Sequence, residues 1–403
     1  MRSLTLSELS TVKLIGLSVP VQFRPTKPNR DIISPMVGDD RRGTELHKEW
    51  QMSGKRARVG VIGTGWWATN AHLPSLTTYS RADVGGVADL DVEKARMAAE
   101  RFNVPLAVSS HHKLFEAGVE GVVIATPHHT HYELARDALL AGVDVMIEKP
   151  MVVEPAHARH LVQLAREHGR HIHVGYPYPF SRHARLLRKT IEDGDLGDIL
   201  FCSALMATAA LDFYRGDTSR AITGRDHAMF NPGTQTYSNA AHGGGQALTQ
   251  ITHQAALVFH LTGLKPVAVH AFTGTYGTEV DVWDAINFRT ASGAAGSIAS
   301  TGTVPAHLKG IEEFRIFGSK GHATLELGPG TLTISFNDGR VCVEAPLTDD
   351  ERFLIHHTAR QLVDTILGLS DPMADGDLGC LTVEFLAAAL ESSKTGKVIE
   401  LKS

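Results

Sequence analysis

Gly63-Thr-Gly65-Trp66-Trp67-Ala68 directly follows an apolar run at 59–62, and a Glu148-Lys149-Pro150 triplet directly follows another at 143–147. The first stretch has the G-x-G-x-x-G/A form. One glycine permits a tight turn, the second lets the backbone approach a pyrophosphate, and the small third residue lets a helix pack closely on its strand. A helix starting there aims amide donors and a positive dipole end at phosphate oxygens. Glycine turns also occur in other α/β folds, so the strand before and the helix after carry the inference. Asp89 ends the next apolar run, where a carboxylate can accept hydrogen bonds from ribose hydroxyls. It would repel a 2′-phosphate, and Leu90 beside it supplies no cation, so NAD is expected rather than NADP. The competing reading of Asp89 is a helix cap, for which Asp91 is equally placed. Lys149 stands alone just past its strand, on the edge where parallel sheets bind ligands. Together these residues imply chemistry beside a nicotinamide ring.

Such residues need strands and helices in alternation to hold them, and the chain provides this from Lys55 onward. Strands are expected at 59–62, 84–88, 119–125, 143–147 and 171–175. Helices are expected at 71–79, 92–102, 132–141 and 155–168. In the second of these Ala95, Met97, Ala98 and Phe102 are the inward candidates, and Gly142 is expected to cap the third in a left-handed conformation. Nearly all-apolar strands separated by helices predict a parallel sheet covered on both faces. After Tyr176 the grammar changes. A helix at 181–193 and a strand at 198–207 precede a glycine-rich segment at 242–246 and a helix at 247–261. Strands then succeed one another at 267–275, 282–289, 296–302, 312–318, 323–327, 332–336 and 341–344, predicting a largely antiparallel sheet. Helical stretches at 348–367 and 380–393 close the chain. The organisation expected is an extension (1–54), a dinucleotide-binding domain (55–175) and a substrate and assembly domain (176–403). The extension reads equally as a flexible arm, as residues upstream of the true start, or as an arm packing on a neighbouring subunit.

Composition narrows the function classes. A chain of 403 residues with a formal charge of −5 lacks the basic face that nucleic-acid binding needs. The basic residues at 182–189 recur at helical spacing, as a solvated helix face does. Cys202, Cys342 and Cys380 lie far apart in no metal-ligand spacing, a reduced and cytoplasmic pattern. No apolar run approaches the roughly 18 residues that would span a bilayer. Glu8 and Lys13 interrupt the N-terminal apolar stretch, and no apolar segment follows Arg41-Arg42, so neither leader type is expected.

Four motifs in order carry a family resemblance: Gly60-Val-Ile-Gly-Thr-Gly65, Thr126-Pro127-His-His-Thr-His131, Glu148-Lys149-Pro150, and Gly243-Gly244-Gly245 through His253. In this order and spacing the chain resembles the Gfo/Idh/MocA oxidoreductases, inositol and sugar dehydrogenases among them, over residues 57 to 401. The resemblance implies an α/β fold, with an N-terminal Rossmann parallel sheet and a C-terminal α/β domain built on a large open sheet. It implies NAD(P) between them and homodimers or homotetramers formed through that sheet. Gly63, Gly65, Trp66, Trp67, Asp89, Thr126, Pro127, His128, His131, Glu148 and Lys149 become the expected cofactor contacts. Lys149 resembles the family's active-site lysine, whose ammonium can polarise the substrate oxygen and stabilise alkoxide charge. His253 resembles its general acid/base, a role that suits an imidazole.

Three departures qualify the match. Many members carry an aspartate four residues before the histidine; here it is Thr249, which can orient an imidazole but cannot stabilise its charged form as a carboxylate does. That leaves Gln250 as a candidate sugar-hydroxyl ligand. His128 replaces a usual asparagine, and Tyr178 stands where an arginine is frequent. Tyr176 and Tyr178 have faces that suit sugar C–H surfaces, and suit a core as well. His128, His129, His131, His242 and His253 lack the spacing of a metal site, and no metal is expected. The leading expectation is NAD-dependent oxidation of a secondary alcohol of a sugar, sugar derivative or cyclitol, with Lys149, His253 and Thr249 around the reacting hydroxyl. The alternatives are a glycoside-cleaving enzyme that recycles its NAD and a non-catalytic dinucleotide-binding regulator.

Overall fold

The computed structural model describes residues 54–219, 229–352 and 354–401, so almost all of the expected extension lies outside the described residues. The first sheet has six strands: β1 (Ala57–Ile62), β2 (Ala82–Ala88), β3 (Ala107–Val108), β4 (Gly121–Ile124), β5 (Asp144–Ile147) and β6 (Ile172–Val174). They pair in parallel in the order β3-β2-β1-β4-β5-β6, which is the doubly wound order of dinucleotide-binding sheets. Every residue of β4, β5 and β6 is buried, as two-sided helical cover requires.

The helices that provide this cover are α1 (Leu73–Thr77), which continues a π-helical turn at Ala68–His72, α2 (Val92–Phe102), α3 (His131–Leu140) and α4 (Pro155–His168). Asp91 caps α2, accepting from the Glu93 and Lys94 backbone N–H groups, so the capping role falls to Asp91. Ala95 and Ala98 of α2 face inward, whereas Met97 is 50% exposed. Two residues on from Ala95, at 3.6 residues per turn, Met97 points to the far side. Gly142 takes the left-handed φ of 75° beyond α3.

The second sheet comprises β7 (Ile199–Ala207), β8 (Pro266–Gly274), β9 (Trp283–Thr290), β10 (Ala295–Thr301), β11 (Ile311–Gly318), β12 (Gly321–Glu326), β13 (Thr331–Phe336), β14 (Val341–Val343) and β15 (Ile399–Glu400). Its order is β14-β13-β12-β11-β7-β10-β9-β8-β15. Only β7 and β10 run parallel; the other pairs are antiparallel, so the sheet is large, open and mixed. Burial alternates along β9 and β10, the signature of a sheet covered on one side. α5 (Arg182–Glu192), α6 (Thr252–Thr262) and α8 (Gly376–Thr395) supply core residues to that side. Phe259, Phe288 and Phe385 meet there edge to face, with centroids 5.1 to 5.9 Å apart. Between α6 and α8, α7 (Ile355–Ile366) returns to the first sheet, where Ala359, Leu362 and Val363 pack with Val123 and Met146. Both sheets belong to one compact unit. Among the described residues no helix is long and apolar enough to cross a membrane.

Candidate active site

The glycine turn sits at the C-terminal end of β1. Gly63 has a φ of 87°, and a Cβ there would lie 2.8 Å from the Ala125 carbonyl oxygen, so the turn admits only glycine. At Gly65 the same position meets no heavy atom within 4 Å. The helical run begins at Trp66, directing its amide end into that open space. Asp89 holds the turn together: Oδ2 accepts from the Thr64 backbone N–H at 2.8 Å and from Thr64 Oγ1 at 3.0 Å. Its Oδ1 accepts from the Asp91 N–H at 3.0 Å. A carboxylate has about four lone-pair sites, so capacity for a ribose hydroxyl remains.

These groups form one wall of a cleft of about 1550 Å³, larger than the roughly 300–1,000 Å³ of a single-ligand pocket. Trp66, Trp67, Thr126, Pro127, His128, Glu148, Lys149, Tyr178, Gln250 and His253 also line it. The open space at Gly65, the helix end and the Asp89 carboxylate together fit a dinucleotide. Toward the other end, Glu148 organises the wall. Its Oε1 accepts from Trp67 Nε1 at 2.9 Å and pairs with His72 Nε2 at 2.8 Å, and Oε2 accepts from the Lys149 N–H at 3.2 Å. Burial opposes its charge, but the His72 hydrogen bond and the charges of His72 and Lys149 outweigh that and hold the carboxyl below its usual range.

Lys149 reaches across to the second half of the chain, donating from Nζ to the Thr249 carbonyl oxygen at 3.0 Å. Burial lowers its ammonium pKa from the usual lysine range, with Glu148 opposing. His253 lies between two tyrosines, its ring centroid 6.0 Å from Tyr176 and 5.5 Å from Tyr178. Burial, then the Lys149 charge, hold its imidazole well below the ordinary histidine range, so it is neutral. Its Nδ1 is buried and has no hydrogen-bond partner among the described residues.

Three expected site residues stand elsewhere. The Thr249 hydroxyl donates to the Gly245 carbonyl at 2.6 Å and bonds Tyr214 at 2.9 Å, with no hydrogen bond to His253 among the described residues. The reason is local: Ala247–Ile251 is a π-helical turn, so the α-helical four-residue stacking does not hold through it. Tyr176 is core, 1% exposed, its hydroxyl bonded to Thr252 at 2.9 Å. His131 is fully buried, its ring nitrogens 3.0 Å from the Pro150 and Thr126 carbonyls, so it pins two loops behind the cleft rather than facing it. His128 does line the cleft, and its Nδ1 bonds the Gly243 carbonyl at 3.0 Å.

The sequence reading missed Lys94, Phe213, Tyr237 and Glu312, all of which line the cleft. Only Glu312 left a signal, an acidic residue at an inward position of β11. Among the histidines weighed as metal ligands, His129 and His242 instead stack at 4.1 Å. Three potential ligand atoms do lie within 4.8 Å of one another at His111, His112 and Asp137, where Arg136 already donates to Asp137 at 2.9 Å.

A six-stranded doubly wound sheet with a glycine turn and an acidic β2 terminus defines a dinucleotide-binding α/β protein. The family model for the GFO/IDH/MocA NAD-binding Rossmann fold matches residues 57–176, and that for the family's C-terminal domain matches 184–324. The chain belongs to the GFO/IDH/MocA oxidoreductase family, and NAD is its cofactor. It is 24% identical over 371 residues to D-glucoside 3-dehydrogenase of Escherichia coli K12, covering 87% of this chain and 99% of that one. It is 34% identical over 146 residues to inositol 2-dehydrogenase of Leifsonia xyli subsp. xyli, covering 36% of this chain and 43% of that protein. The crystal structure of GenD2 from gentamicin A biosynthesis in complex with NAD shares the fold, with a TM-score of 0.70 at 23% identity over 87% of this chain and 97% of that chain.

Proposed function

We propose that this oxidoreductase oxidises a secondary hydroxyl of a sugar, sugar derivative or cyclitol placed between Lys149 and His253. The observation that carries this is the placing of a buried ammonium and a neutral imidazole, from the two halves of the chain, on one cleft. Bound against the Gly63–Ala68 turn, Asp89 and the Thr126–His128 wall, NAD supplies the hydride acceptor. Lys149 stabilises the negative charge that grows on the substrate oxygen. His253 takes the hydroxyl proton at Nε2, since its Nδ1 is buried. Thr249 helps through its main-chain oxygen, by fixing the Lys149 ammonium. Gln250, which lines the same cleft, binds a neighbouring hydroxyl in this reading. The names of the two curated relatives, a glucoside and an inositol dehydrogenase, support a cyclic polyol of this kind.

Incubation with NAD and a panel of glucosides and inositols will raise absorbance near about 340 nm; no change with any of them contradicts the reading. Lys149→Ala will keep NAD binding and lose turnover by about 10²–10³-fold. Glycoside cleavage without NADH accumulation would instead select the NAD-recycling reaction. Unchanged cellular function in the Lys149→Ala strain would select a regulator. We also infer assembly into a homodimer or homotetramer through the open face of the second sheet, where Phe201, Leu205, Phe272, Trp283 and Phe317 are exposed. A cytoplasmic location accords with three free cysteines.

A further inference from the structure

β11 carries a charge where its alternation calls for an apolar side chain. Phe314 and Ile316 point into the core at 1% and 2% exposure, and Glu312 shares their parity. At the start of the strand that inward face is no longer core: it opens into the cleft beside Leu308 and Gly310. The Tyr178 hydroxyl donates to Glu312 Oε1 at 3.0 Å, and the Tyr178 ring lies 5.5 Å from that of His253. Glu312 is therefore one hydrogen bond and one ring contact away from the proposed base. Among the described residues from 176 onward that line the cleft, it is the sole Asp, Glu, Lys or Arg. No cation pairs with it among the described residues.

We propose that Glu312 forms a substrate subsite that accepts hydrogen bonds from hydroxyl or ammonium substituents and rejects sugars carrying a carboxylate or phosphate. The proposal rests on reading the cleft as a sugar site. A half-buried carboxylate with one protein donor is stabilised by further donors, which ring hydroxyls and amines supply and anions do not. Burial raises the Glu312 carboxyl above its usual range while the Tyr178 bond opposes this, so donors arriving from a sugar favour its charged form. A second anion close by in a low-dielectric cleft meets direct repulsion.

Trp66 and Trp67 line the same cleft, so tryptophan fluorescence reads sugar binding without turnover. NAD-loaded wild type and Glu312→Gln are titrated with methyl glucoside, its 2-amino counterpart and its uronate. Wild type binds the first two at least about tenfold more tightly than the uronate. Glu312→Gln weakens the amino sugar by about tenfold and brings the uronate to within about threefold of the neutral sugar. Tyr178→Phe, which removes only the donor, moves the uronate ratio the same way by about threefold. It keeps the test open should the glutamine variant fold poorly. Equal selectivity in wild type and Glu312→Gln, tightest binding of the uronate by wild type, or binding of none of the three overturns the subsite. Polyol-dependent NADH formation with unaltered selectivity sinks the subsite alone. The stated selectivity without NADH formation keeps the subsite and sinks the dehydrogenase reading.

Discussion

The six-stranded sheet has helices on both faces, whereas the nine-stranded sheet is packed on one face and open on the other. In β4 every position is buried and carries glycine or an apolar side chain, and β5 adds a single buried acid at its entry, Asp144, whose carboxylate accepts from the His171 N–H at 2.8 Å. In β9 and β11 inward and outward positions alternate, and each face has its own exceptions. Outward apolar residues such as Phe201 and Leu205 break the pattern on one side; inward acids such as Glu312 and Asp284 break it on the other. Asp284 is 2% exposed beside Asp281, and burial first, then the Asp281 charge, push its carboxyl well above the usual range. The two-sided sheet acts as scaffold, with the cleft residues at its strand ends. The one-sided sheet lines the same cleft from within a strand, at Glu312.

The sharpest way to break this contrast is to truncate one residue in each sheet. Met146→Ala, at 0% exposure between two helical layers, is expected to cost about 2–5 kcal/mol in chemical denaturation. Leu205→Ser, 40% exposed on the open face, is expected to cost less than about 0.5 kcal/mol within the protomer. Its effect should appear instead in sedimentation, as weaker assembly. Equal losses at the two sites would show that the open face is as tightly packed as the core.

Acid stability offers a second comparison, because each half buries a neutral histidine. Burial and the neighbouring His171 charge lower His173 in β6 to about 3; burial and the Arg188 charge lower His260 in α6 to about 4. Both sit below the unfolded value of about 6.5. The unfolded chain therefore binds protons that the folded chain does not, and stability falls as pH drops below about 6.5. By pH ~5.5 each histidine should cost about 1 kcal/mol, so His173→Leu or His260→Leu should flatten the pH dependence of the urea midpoint.

A smaller effect divides the pH–rate profile between the halves. In the proposed reaction His253 takes a proton and so has to be neutral, and the acid limb should therefore fall well below the ordinary histidine range. The same proposal has Lys149 charged, so the alkaline limb should fall below the ordinary lysine range. Each limb should change about tenfold per pH unit. Lys149→Arg should move the alkaline limb upward and leave the acid limb in place.

How much could be read beforehand follows the same contrast. The helices at 92–102 and 155–168 have the bounds their caps and periodicity imply, and five of the first sheet's six strands differ by one or two residues at either end, whereas the two-residue edge strand β3 is too short to leave a pattern. Two-sided burial leaves a strong pattern. Tyr176 and Tyr178 stand two residues apart, each before a proline, and both are buried, yet only Tyr178 also lines the cleft, a difference set by tertiary packing. The Thr249 side chain departs from the place helical spacing implies, because a π-helical turn has no reliable signature in sequence. Glu312 was legible in principle, since strand parity alone puts it inward, but a single acid beside Glu313 is easily taken for surface.

The anchor that steadies Lys149 is a main-chain oxygen. Such an atom is present whatever residue occupies position 249, provided the local turn survives. Residue 249 is therefore free to vary without releasing the lysine, and substitution profiles of side chains alone would pass over the contact that aims this ammonium.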